Sequence, residues 1–197
     1  LALQVASRIR DLIATDQFPP GTPLKEVNLC KQLSVSRTPL REALKQLIAE
    51  GLVEQIPYRG VVVCNPDQAS IEQMLELLGA LEGFAGEMAC LRATPEEIDA
   101  IRVLTQQMHE TYEKDERLSY YKINQSIHRS IVEFSKNGEL IRSHERLNCR
   151  LYRIRFLSNR RTDRWHTAIE EHDAIHRKLK QREGLKLNKL LREHLGH

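Results

Sequence analysis

The chain has no CxxC pair. Its four cysteines, Cys30, Cys64, Cys90 and Cys149, are widely scattered, which points to neither a disulfide framework nor a cysteine zinc site. Nor does any apolar run approach the ~20 residues of a membrane span. The opening LALQVASRIRDLIA is interrupted by Arg8, Arg10 and Asp11, so it lacks the apolar core of a secretory signal. No membrane partner is expected, and a cytoplasmic location is the default. Bulk charge of one sign is missing too. The net charge is +3; residues 1–65 carry eight Lys/Arg against six Asp/Glu, and residues 66–197 carry 22 against 21. Any nucleic-acid contact must therefore come from local clustering. What is there is an ordinary globular composition, 41% hydrophobic and 29% charged over 197 residues, long enough for one large domain or two small ones.

Local clustering is found in SVSRTPLREALKQL, Ser34 to Leu47. Ser36 stands where an N-cap belongs and Pro39 falls in the first turn, where a missing N–H costs nothing. Leu40, Ala43, Leu44 and Leu47 form an apolar stripe at helical spacing. Arg37, Arg41 and Lys45, four residues apart, form a separate basic stripe, with Ser36 and Thr38 at its leading end. Such a stripe serves phosphates and base edges, or is a solvated face. Its surroundings favour the first. Leu3, Val5, Ile9, Leu12 and Ile13 make one helix before the turn FPPGTPL, and Val27, Leu29, Cys30 and Leu33 make a second short one. A three-residue turn then leads into the basic helix, a helix-turn-helix pattern. Leu52 to Ile56 and Gly60 to Cys64 are β-rich runs around Pro57, Tyr58 and Arg59, which predicts a small hairpin or wing with Arg59 at its tip.

The stretch PPGTPLKEVNLCKQLSVSRTPLREALKQLIAEGLVEQIPYRGVVV closely resembles the winged helix-turn-helix of the GntR family of bacterial transcription regulators. The likeness runs without a gap and includes SRTPLREAL, the EGLV step and the RG of the wing. It implies DNA contacts by Arg37, Thr38, Arg41 and the wing backbone near Gly60. Some members carry an arginine where this chain has Val27.

Asn65, Pro66 and Asp67 mark the expected boundary between a DNA-binding domain, 1–65, and a helical domain, 66–197. Helical periodicity continues through Ile71 to Leu91, with Met74, Leu77, Leu78, Leu81, Phe84, Ala85 and Met88 expected inward. A helix capped by Thr94 and Pro95 follows, then Leu118 to Phe134, Glu139 to Leu157, Asp163 to Lys180 and Leu185 to Leu195. The fold class is mainly α, a winged helix-turn-helix followed by an all-helical bundle. Arg142, Arg146, Arg150 and Arg153 repeat along one helical side, expected to be a solvated face, and the basic run continues to Arg164. Asn124 and His128 are an i, i+4 pair, and His172 and His194 lie on later helices; His172 and His176 form a competing pair. Imidazoles with an amide or carboxylate oxygen suit a borderline divalent metal such as zinc, nickel or manganese.

NQSIH, EEHDAIH and REHL resemble motifs of the FCD-type ligand-binding domain that accompanies this DNA-binding module in the FadR branch of the family. Many such domains hold a divalent metal through an aspartate and three histidines, with a small organic acid completing the coordination. The resemblance implies Asn124, His128, His172 and His194 as ligands, Asn124 departing from the usual aspartate. Leu78 stands where the family often has an arginine, one turn before the glutamate corresponding to Glu82. The expectation is a non-enzymatic, homodimeric regulator that binds a double-stranded operator and responds to a small carboxylate effector. The alternatives are a metal-dependent hydrolase, with Glu171 as base, and a regulator whose metal is purely structural; against the hydrolase, the histidines form no HExxH arrangement.

Overall fold

A computed structural model describes residues 1–158 and 162–196, apart from the side chains of 162–166 and 196. The side chain of Trp165, expected in the core, and Arg160, Arg161 and the side chain of Arg164 from the basic run lie outside the described residues. The elements in order are α1 (Ala2–Ala14), α2 (Glu26–Leu33), α3 (Arg37–Ala49), β1 (Val53–Ile56), β2 (Gly60–Val63), α4 (Gln68–Arg92), α5 (Pro95–Glu113), α6 (Arg117–Phe134), α7 (Gly138–Ser158), α8 (Thr162–Lys180) and α9 (Gly184–Gly196). They form two compact units: residues 1–71 with 146–158, and residues 72–145 with the described residues from 162 onward. Among the described residues no helix is long and apolar enough to cross a membrane.

In the first unit three short helices close over one core. Val5, Ile9 and Ile13 of α1, Leu29 and Leu33 of α2, and Leu40, Leu44 and Leu47 of α3 are all buried in it. Leu3 and Val27, expected inward, are instead 72% and 54% exposed. Each lies two positions from a buried residue, Val5 or Leu29, and two positions turn a helix by about 200°, onto the opposite face. Between α2 and α3, Ser34 adopts the left-handed φ of 55°, so the chain reverses within three residues. Arg10 anchors α1 to the end of α3 through Glu50 at 2.8 Å.

After Gly51 the chain enters the hairpin, with Val53 opposite Val63 and Ile56 opposite Gly60. Its three-residue tip places Tyr58 at φ 63°, and Gly60, which opens β2, lies at φ 78°. The segment before α2 pairs along the outer side of β2, where Leu24 N–H donates to Val61 carbonyl at 2.8 Å and Gly21 N–H to Val63 carbonyl at 2.9 Å. That pairing occupies an edge that a two-stranded hairpin otherwise leaves open. The last turns of α7 also belong to this unit. Arg153, expected on a solvated face, donates to Asp16 at 2.7 Å, while Arg142 remains exposed beside Glu139.

The second unit is a helical bundle around Ile101, Met108, Ile127, Ile175, Leu187 and Leu191. Thr94 and Glu97 form a reciprocal capping box at the start of α5. The buried face of α4 differs from the one the apolar pattern suggests: Leu77 and Phe84 are 51% and 44% exposed, whereas Leu78, Gly79, Glu82, Gly83, Ala85 and Gly86 are buried. Glycines make the difference. A Cβ at Gly83 would lie 2.8 Å from the side chain and 3.0 Å from the backbone oxygen of Asn188, and one at Gly86 would lie 2.5 Å from Leu191. The α9 backbone thus packs directly onto α4, a contact that hydrophobicity does not reveal. Gly83→Val is expected to destabilise the unit by about 1–3 kcal/mol, as overpacking does. Thermal unfolding checks it, an unchanged melting temperature contradicting the close approach.

Candidate functional site

Two sets of side chains remain after the cores are accounted for. The first lies on α3 and the wing. Ser36 occupies the N-cap position with extended backbone but makes no side-chain cap bond, so its hydroxyl is not committed to the helix. Arg37, Thr38, Arg41 and Lys45 are exposed along the outer face of α3, opposite the buried Leu40, Leu44 and Leu47. Their electrostatic states differ. Arg41 lies against Glu26 of α2, its Nε at 3.0 and 3.1 Å from the two carboxylate oxygens, and Lys45 pairs with Glu42 at 3.0 Å. Arg37 makes no ion pair among the described residues. Arg59 is exposed at the wing tip, and the half-buried Gly60 follows at the first position of β2. Exposed pairs such as Arg41 with Glu26 contribute little to stability and are readily exchanged.

The second set lies inside the bundle. His128 of α6, His172 of α8 and His194 of α9 converge, each offering a ring nitrogen within 4.8 Å of the others. Ring centroids are 5.0 Å apart for His128 and His194, and 4.7 Å for His172 and His194. Each Nδ1 faces an acceptor: Glu82 at 2.6 Å for His128, the Ala168 carbonyl at 2.6 Å for His172, and Glu171 at 2.5 Å for His194. A carbonyl oxygen only accepts, so the His172 proton sits on Nδ1. Carboxylates favour the same tautomer in the other two rings, in which Nε2 carries the lone pair.

Asn124, one turn before His128 on α6, is buried, and its Oδ1 has no hydrogen-bond partner among the described residues. A buried, unpartnered amide oxygen is costly in isolation and suits a cation or a donor group. His176, which competed with His172 in the spacing, instead lines a surface cleft with His109 and Asp173.

Sequence reasoning missed the groups that orient the histidines. Glu82 is a fully buried carboxylate that accepts from His128 on one oxygen and from His144 Nε2, at 3.0 Å, on the other. Two imidazole N–H groups satisfy a charge that is otherwise expensive to bury. The signal was available as the single acid within the apolar run LLGALEGFAG of α4. His144 had no such marker. Glu171, the candidate hydrolytic base, is engaged with His194.

Comparison with known proteins identifies a known domain at each end of the chain. Residues 1–63 match the family of bacterial regulatory proteins called gntR, and residues 73–197 match the FCD domain. An uncharacterized HTH-type transcriptional regulator of Bacillus subtilis, YdhC, is 26% identical over 99% of this chain and 88% of its own. A probable D-xylose utilization operon transcriptional repressor of Paenarthrobacter nicotinovorans is 32% identical over 71% of this chain and 63% of its own. Among solved structures, McbR/YncC of E. coli superimposes with a TM-score of 0.85 at 21% identity, covering 99% of this chain and 93% of the other, a likeness of fold. With a winged helix-turn-helix matching at one end and an FCD bundle at the other, the chain belongs to the GntR family and is a transcription regulator with an FCD domain.

Proposed function

We propose that the chain binds a near-palindromic operator as a homodimer, in the cytoplasm and without catalytic turnover, and that a small organic acid bound in the helical domain modulates this binding. Residues 1–65 act as the DNA-binding domain and 66–197 as the effector domain. Arg37 and Arg41 read bases in the major groove, Ser36 and Thr38 engage the backbone at the head of α3, Lys45 meets a phosphate, and the wing adds Arg59 and the backbone at Gly60. For Arg41 to reach DNA it exchanges Glu26 for its new partner.

In the helical domain Asn124, His128, His172 and His194 would hold a divalent metal. The observation that carries this reading is the convergence of the three histidines, whose ring nitrogens lie within 4.8 Å of one another while each Nδ1 is engaged by an acceptor. A bound divalent cation would supply a positive centre for an anionic effector, and an amide oxygen at Asn124 leaves that centre more positive than an aspartate does. The effector must favour one arrangement of the DNA-binding domains to alter operator affinity. Elemental analysis of purified protein tests the site: stoichiometric zinc, nickel or manganese in the wild type and its loss in His128→Ala and His194→Ala are expected. A metal-free wild type that also fails to take up any of the three would overturn the metal reading.

Support for a homodimer comes from α4. Opposite its buried face it exposes Leu77, Phe84 and Leu91 at seven-residue spacing, and a helix apolar on opposite faces is one that a partner covers. The spacing is even about Phe84, so two antiparallel copies can set Phe84 against Phe84 and Leu77 against Leu91. Phe84→Glu is expected to convert a dimer to monomer in sedimentation velocity, and a dimer of undiminished affinity would remove α4 from the interface.

A further inference from the structure

Beside the base of the wing the first unit contains a cavity of about 160 Å³ that neither the DNA-binding surface nor the histidine centre uses. Ile13 of α1, Leu52, Val63 at the end of β2, and Ile154 of α7 form its apolar wall, and Arg150 and Arg153 of α7 also line it. The two cations are not equivalent. Arg153 is neutralised by Asp16 at 2.7 Å. Arg150 has no ion pair among the described residues. Its stem rests on Gly51, where an added Cβ would meet Cγ at 3.0 Å and Cδ at 3.1 Å. Gly51, at φ 73°, is thus both a turn residue and the seat of that side chain.

Chemistry narrows what such a space accepts. An apolar cavity of about 150 Å³ is large enough for benzene, so the space suits a body of about six carbons. A guanidinium without a protein anion selects a planar carboxylate, which it engages with two parallel N–H bonds. Cys64 also lines the cavity. Burial and Glu54 raise its thiol pKa more than nearby Arg150 lowers it, so it is a neutral thiol and the ligand is held without a covalent bond.

We propose that this cavity is a binding site for a small monocarboxylate with an apolar body of about six carbons, its carboxylate on Arg150 and its body against Leu52, Val63 and Ile154. The site is separate from the histidine centre, whose residues belong to the other unit. Because Leu52 precedes β1 and Val63 ends β2, an occupant rests on the base of the hairpin that carries Arg59.

Benzoate is a probe of the right size and charge. Titration into the full-length protein, followed by amide and methyl chemical shifts, is expected to move Leu52, Val63, Cys64 and Ile154 in a saturable manner. Arg150→Gln is expected to weaken benzoate about tenfold, as loss of a charge-assisted pair does. Ile154→Trp fills the space and is expected to abolish binding, whereas His128→Ala is expected to leave it unchanged. The unsubstituted ring in benzamide, lacking the charge, should bind like benzoate to Arg150→Gln. Absence of saturable shifts in the wild type, equal affinity in Arg150→Gln, or loss of binding in His128→Ala with the first unit folded would each overturn the proposal. The last outcome would place the carboxylate at the histidines instead.

Discussion

Arg37→Ala and Arg41→Ala, made together, are expected to abolish the preference for operator over unrelated DNA while leaving both units folded. Each bidentate contact between an arginine and a base is worth about 1–3 kcal/mol of discrimination, so the pair should account for about 30-fold to 25,000-fold in specificity. Both residues are exposed and neither supports the core, so the melting temperature should hardly move. Fluorescence anisotropy with operator and scrambled duplexes at several salt concentrations measures the effect. Lys45→Ala is the contrasting case: loss of a phosphate contact lowers affinity for both duplexes and shallows the salt dependence by about one charge. Glu26→Gln releases Arg41 from its partner at 3.0 Å and is expected to tighten binding to both duplexes. Full operator selectivity in the double variant would remove α3 from its assigned role.

Removal of the Glu82 charge is the second change with a large expected effect. Glu82→Gln keeps the shape of the side chain but replaces one acceptor oxygen by a donor NH₂ group, so the two N–H groups from His128 and His144 cannot both be satisfied. Outer partners of this kind typically alter metal affinity 10- to 100-fold, and that loss is expected here in competition titrations against a chromophoric chelator. The ¹⁵N shifts of His128 provide a readout in metal-free protein: the wild type should show protonated Nδ1 and bare Nε2, and Glu82→Gln should show a mixture. Unchanged affinity together with an unchanged His128 tautomer would reduce Glu82 to a structural group. If a metal binds, chelation should also lower the melting temperature, since ligand at a hundred times its Kd stabilises by about 2.7 kcal/mol.

Much of this was legible residue by residue because it depends on local rules. Apolar spacing located nearly every helix, and Thr94 and Pro95 marked the start of α5, where Thr94 forms its capping box with Glu97. Pro57 and Gly60 bracketed the wing turn. The basic stripe of α3 was visible because a helix places residues four apart on one face. Spacing failed where both sides of a helix are apolar. In α4 both faces are apolar, and glycines, which carry no hydrophobic signal, line the buried one.

The sequence by itself therefore determined the secondary elements, the family and the types of residue available for chemistry, since propensity, capping and periodicity act over a few positions along the chain. Only the tertiary structure decided which residues meet. It joined His194 of α9 to His128 and His172 rather than leaving His172 with His176, committed each Nδ1 to an acceptor, and placed Glu82 between two imidazoles. It also separated Arg37 from Arg41 and Lys45, whose carboxylate partners include one from another helix. Those contacts join positions from 3 to 66 residues apart in the chain, and most depend on how closely two helices approach, a distance set by side-chain volume at the contact, glycine above all, and not by any periodic pattern.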